Sequence, residues 1–120
     1  MATAVATARR IPISPRKVRL VAGLIRGRNV SAARDILDFT VKKGAMPMRK
    51  VLDSAVANAE NAASESHDRI DTDTMVVAEV QVNEGRTRKK YQPAPRGSAH
   101  RLRLRSCHIA IKISDENQRR

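Results

Sequence analysis

Residues 85–105 read GRTRKKYQPAPRGSAHRLRLR, and this stretch organises the rest of the chain around it. It contains eight Lys or Arg and no Asp or Glu. An apolar run at 75–82 (MVVAEVQV) leads into it, and another at 109–113 (IAIKI) leads away. Its centre, Pro93-Ala94-Pro95-Arg96-Gly97-Ser98, carries two prolines and a glycine, which end strand pairing and reverse the chain. The pattern predicts a long β-hairpin. At ~3.3 Å per residue its arm reaches roughly 35 Å, whereas a compact domain of this size has a radius of gyration of only ~13 Å. Such an arm cannot lie wholly against its own body. With few apolar side chains near its tip, it must be ordered by a partner, and its charge makes that partner a polyanion.

The charge distribution supports this. The net charge is +12. Residues 1–50 carry +10, residues 51–83 carry −6 and residues 84–120 carry +8. Two basic ends around an acidic middle suggest one surface on nucleic acid and another turned away. There is one Phe (Phe39), one Tyr (Tyr91) and no Trp. Folds that stack bases use several aromatics, so binding here must rest on phosphates and groove shape.

Catalysis is not expected. His67, His100 and His108 have no zinc-site spacing, and no phosphate loop or nucleophile motif is present. Asp68, Asp71, Asp73 and His67 form an acidic loop that lacks the Gly and Glu of a calcium site, so it reads as solvated. No catalytic residue, metal or cofactor is assigned. Cys107 is the sole cysteine, which fits a reducing compartment and the role of a small buried thiol. No signal peptide or membrane span is expected.

Working outward from the arm, residues 3–11 suit an edge strand. Ser14-Pro15 marks a helix start, with Ser14 as N-cap. Over 15–26, Val18, Val21, Ala22 and Ile25 share one face, and Arg16, Arg19, Gly23 and Arg26 share the other. Gly23 weakens that helix by about 1 kcal/mol relative to Ala but leaves backbone open to a phosphate or another chain. A short helix is predicted over 31–39, with Ser31 as N-cap and Ala33, Ile36, Leu37 and Phe39 facing inward. Lys42-Lys43-Gly44 connects it to a third helix over 45–63, whose apolar stripe is Met48, Val51, Leu52, Ala55, Val56, Ala59 and Ala62. The following strand buries Val76, Ala78, Val80 and Val82. On the return strand Leu102 and Leu104 are even-numbered, whereas Cys107, Ile109, Ile111 and Ile113 are odd-numbered. A side-chain period of two cannot change phase without a break, which places the joint between arm and body near Arg105–Ser106.

Four blocks now stand out in order: ISPRKVRLVAGLIRGRNV (13–30), KVLDSAVANAENAA (50–63), VNEG (82–85) and RLRLRSCHIAI (101–111). Together they resemble the family of the universal large-subunit ribosomal protein twenty-two, in its bacterial form, over nearly the whole chain. The resemblance implies an α+β fold: three helices packed on a small antiparallel three-stranded sheet, in a single domain spanning 1–120, with 84–106 as a protruding hairpin. It implies a cytoplasmic structural protein that binds large-subunit ribosomal RNA and aids its assembly. Its further partners would be neighbouring large-subunit proteins, including protein four near the tunnel constriction, and the nascent peptide; no membrane and no homo-oligomer are expected.

The candidate RNA-binding residues are Arg9, Arg10, Arg16, Lys17, Arg19, Arg26 and Arg28 toward the N-terminus. In the arm they are Arg86, Arg88, Lys89, Lys90, Arg96, Arg101, Arg103 and Arg105. Arg16, Lys17 and Arg19 match the family's basic helix start; Lys89, Lys90, Pro93 and Gly97 match its tip. By the same resemblance Lys90, Tyr91, Gln92, Pro93, Ala94, Pro95, Arg96 and Gly97 line the nascent-peptide exit tunnel. The tip departs from the family pattern. Pro93-Ala94-Pro95 stands where Pro-Arg-Ala is common, and Gly97-Ser98-Ala99-His100 where Gly-Arg-Ala-Asp/Glu is common. A second reading is a nucleoid protein whose arm grips duplex DNA and wedges Pro93 or Pro95 into a base step. Such proteins usually dimerise through apolar faces, and here each helix has only one apolar face to give.

Overall fold

The computed structural model describes residues 3–67 and 71–115. Among these described residues five strands and three α-helices follow one another: β1 (Thr3–Ile11), α1 (Pro15–Ile25), α2 (Val30–Phe39), α3 (Ala45–Ser66), β2 (Val76–Glu84), β3 (Arg88–Pro93), β4 (Ala99–Leu104) and β5 (Cys107–Ser114). β1, β5 and β2 form an antiparallel sheet in that order, so β1 and β2 are its edges. β3 and β4 pair only with each other. The fold is the expected α+β arrangement of three helices, a three-stranded sheet and a hairpin.

The sheet's inner face comes from simple alternation. Ala4 and Ala6 of β1 and Cys107, Ile109, Ile111 and Ile113 of β5 are buried. α3 packs on β1 and β5, α1 packs on β2, and α2 closes the core against α1 and α3. α3 buries Met48, Val51, Leu52, Ala55, Val56 and Ala59 as the spacing predicted, but then Ala63 rather than Ala62. At 3.6 residues per turn Ala62 and Ala63 lie on opposite sides of the stripe's centre at about equal angles, and it is the Ala63 side that faces the core. The small side chains of the later half bring the helix backbone close to the sheet. Arg34 and Arg49 both pair with Asp53, at 3.1 and 3.2 Å, and Arg49 also pairs with Asp38, which ties α2 to α3.

Several local expectations are corrected. α2 begins at Val30, with Asn29 rather than Ser31 at the N-cap, because Val30 is itself core and its N–H donates to Met75 O at 2.9 Å. Phe39 is 85% exposed, since it falls well off the stripe of Ala33, Ile36 and Leu37. Ser14 occupies the N-cap of α1, but its side chain makes no capping bond; its carbonyl accepts from Lys17 and Val18. Ala78 is exposed, because a bulge between Val77 and Glu79 resets the register and turns both Val76 and Val77 inward. The acidic loop tightens into a 3-10 turn, Thr72–Thr74, where Asp71 accepts a hydrogen bond from Asp73 N–H at 3.1 Å. Asp68, named in the candidate cation loop, lies outside the described residues. Among the described residues no helix is long and apolar enough to cross a membrane.

The phase break at Arg105–Ser106 is where β4 ends and β5 begins, and the chain passes there from the hairpin to the core sheet. The hairpin stretches the molecule to 67 × 26 × 23 Å, with a radius of gyration of 17.7 Å.

Candidate nucleic-acid interface

Every residue of β3 and β4 is exposed. The ladder sets Arg88 opposite Leu104, Lys89 opposite Arg103, Lys90 opposite Leu102, Tyr91 opposite Arg101, Gln92 opposite His100 and Pro93 opposite Ala99. Opposed residues share a face, and faces alternate along a strand. One face therefore carries Lys89, Arg103, Tyr91 and Arg101, and the other carries Arg88, Lys90, Leu102 and Leu104. On the first face two cations meet with no acid between them.

The tip is a compact turn. Ala94 N–H donates to Ser98 O at 2.9 Å, and Ser98 Oγ donates to Pro95 O at 2.8 Å. Arg96 and Gly97 both adopt positive φ, 62° and 71°. For Gly97 this is unstrained; for Arg96 it is uncommon backbone. The turn leaves Tyr91 61% exposed.

The arm's root is clamped. Gly85 N–H donates to Ser106 O at 2.8 Å, Ser106 Oγ donates to Arg86 O at 2.6 Å, and Arg105 pairs with Glu84 at 3.1 Å. A Cβ on Gly85 would stand 2.6 Å from Ser106 Oγ and 3.2 Å from its backbone. Glycine is what allows the two strands to cross this closely.

The N-terminal cations divide into groups. Arg9 and Arg10 sit where the β1–β5 register shifts between Ala8 and Ile11. Arg10 has φ 60°, and its N–H donates to His108 Nδ1 at 3.1 Å. Arg16, Lys17 and Arg28 are exposed. Arg19 and Arg26 do something the sequence did not disclose: their guanidinium groups lie along the outer edge of β2. Arg19 donates to Val82 O at 3.0 and 3.2 Å, and Arg26 to Val80 O at 2.6 Å. They satisfy carbonyls that an edge strand would otherwise present to another chain. At Gly23, between them on the helix, an added Cβ would meet none of the described residues within 4 Å. Arg19 also reaches the field of Cys107: burial pushes this thiol's pKa up, and Arg19 pulls it back down.

Arg10 and Lys17 come together with Arg86, Arg88, Lys89, Arg103 and Arg105 around one cleft of about 1510 Å³. Lys42 and Lys43, read from the sequence as a plain connector, form another of its walls. The remaining candidates do not line it, and the tip is removed from it along the arm. A pair of lysines beside a glycine was the only sequence signal for that wall. Exposed cations on a clamped arm can hold phosphates; among the described residues no cluster of three or more His, Cys, Asp or Glu suits a metal ion.

The family model described as ribosomal protein L22p/L17e matches residues 6–114. The chain is 47% identical over 118 residues to the large ribosomal subunit protein uL22 of Desulfitobacterium hafniense strain DSM 10664 / DCB-2, covering 98% of this chain and 99% of that protein. The counterpart in strain Y51 is 46% identical with the same coverage. With a match that spans the core, the arm and the joint between them, the chain belongs to the ribosomal protein L22p/L17e family.

Proposed function

We propose that this protein binds large-subunit ribosomal RNA through its arm and its N-terminal cations, aids the folding of that RNA into the subunit, and lines the nascent-peptide exit tunnel with residues 90–97. The family makes it a structural constituent of the large ribosomal subunit, at work in the cytoplasm within the ribosome, and not an enzyme. One observation carries the RNA reading. The Lys89–Arg103 face sets cation against cation on an exposed hairpin, and 85–105 contains no acid to offset them. A polyanion supplies the missing charge and displaces the mobile counter-ions that otherwise screen these cations. The scarcity of aromatics makes the contacts mainly phosphate contacts.

The tunnel reading rests on the family resemblance together with the arm's length and its exposed turn. It includes large-subunit protein four as a neighbour and the nascent peptide as a passing contact. Deleting residues 91–98 tests it. The tip contributes no core contacts, so the body should fold and the subunits should assemble, with an altered response to tunnel-binding drugs or to stalling peptides. Subunits that assemble with both responses unchanged would exclude a tunnel-lining tip. Failure to assemble would make the tip an anchor instead.

A further inference from the structure

We infer that the cleft between the arm's root and the α2–α3 connector holds one sugar-phosphate backbone, gripped from both sides, with Lys42 and Lys43 as phosphate-binding residues. The inference deepens the RNA-binding reading and rests on it. Three separated segments build the cleft: the β1–α1 junction with Arg10 and Lys17, the connector, and the root of the arm with Arg86 and Arg103. Among the described residues its lining includes neither an acidic nor an aromatic one. Such a cleft repels protein acids' counterparts, the basic chains, and offers no ring for a base to stack on. It suits a chain of phosphates with its bases turned outward.

The connector is held in place. Gly44 is buried, and a Cβ there would already touch Val18 Cγ2 at 3.4 Å, so this turn lies directly on α1. Ala45 N–H donates to Lys42 O at 3.1 Å and Met48 N–H to Gly44 O at 3.3 Å. The backbone that presents both lysines is thus fixed before any ligand arrives. Among the described residues neither lysine has an ion-pair partner, and both are exposed. On the facing wall Arg105 is already paired with Glu84, whereas Arg86, Arg88, Lys89 and Arg103 have no ion-pair partner among the described residues; of these, Arg86 and Arg103 come from the two opposite sides of the hairpin at the root. A backbone seated between the walls would also fix the angle at which the arm leaves the body.

The test measures binding of the full chain to purified bacterial large-subunit ribosomal RNA across a range of salt concentrations. The Lys42→Ala/Lys43→Ala variant is compared with wild type, with Arg86→Ala/Arg103→Ala and with the fourfold variant; circular dichroism verifies that each folds. The connector variant should reduce the steepness of the log affinity against log salt plot by about 1.4–1.8, as expected for two lost phosphate contacts. The two double variants should be non-additive, because both walls hold one strand. An unchanged slope in the connector variant overturns the cleft. Strict additivity overturns the single shared strand. A shallow wild-type slope would instead defeat the RNA-binding reading itself.

Discussion

Lys89 and Arg103 stand directly opposite each other across the hairpin ladder. Like charges so placed destabilise a strand pair. The free arm is therefore weaker than its backbone ladder implies, and salt or a polyanion relieves the repulsion. Replacing Lys89 with Glu should strengthen this pair by about 0.2–1 kcal/mol while weakening RNA binding. Amide exchange in β3 and β4 should slow in the free variant, and its affinity for ribosomal RNA should fall. Faster exchange in β3 and β4 would show that the two cations do not oppose each other in solution.

Gly85 is fixed by its neighbour. Gly85→Ala drives a Cβ against Ser106 Oγ and the Ser106 backbone. The crowding should destabilise the protein by roughly 1–3 kcal/mol and break the Ser106–Arg86 bond that clamps the arm. Chemical denaturation measures the loss. An unchanged midpoint would mean that the strands separate there without penalty.

The Ala stripe of α3 sets its distance from the sheet. Ala59 is only 2% exposed. Ala59→Leu should destabilise by about 1–3 kcal/mol through overpacking, whereas Asn61→Lys on the exposed side should change stability by less than ~0.5 kcal/mol. Equal midpoints for wild type and Ala59→Leu would refute close packing.

Burial raises the pKa of Cys107 above its ordinary value, partly offset by Arg19. Above roughly pH 8.5 an unfolded thiol ionises while the folded one keeps its proton. The unfolded state then binds fewer protons, so this group's contribution to stability falls as pH rises. The stability of wild type relative to Cys107→Ala should decline from pH 8 to pH 10. A constant difference across that range would mean the thiol titrates alike in both states.

Local periodicity revealed most of the fold. The stripe from Met48 to Ala59 gave α3, and the change of phase between Leu104 and Cys107 marked the passage from one sheet to another. What escaped was set by contacts distant in sequence. Ala78 turned outward because of a bulge tied to the Gly27–Arg28 backbone, which bonds Val77 on both sides. Arg19 and Arg26 looked like a free basic stripe, yet their partners are carbonyls on a strand more than fifty residues away. Lys42 and Lys43 become part of a site only because the arm's root folds back across from them. The basic arm itself was legible in composition, since no other feature of the chain explains so many cations without acids.

Salt-dependent binding to large-subunit ribosomal RNA tests the central claim most directly. With about eight phosphates neutralised, log affinity against log salt should fall with a slope of about −6 to −7. A slope near −2 would mean that most of these cations face solvent, and the arm would not be an RNA-binding element.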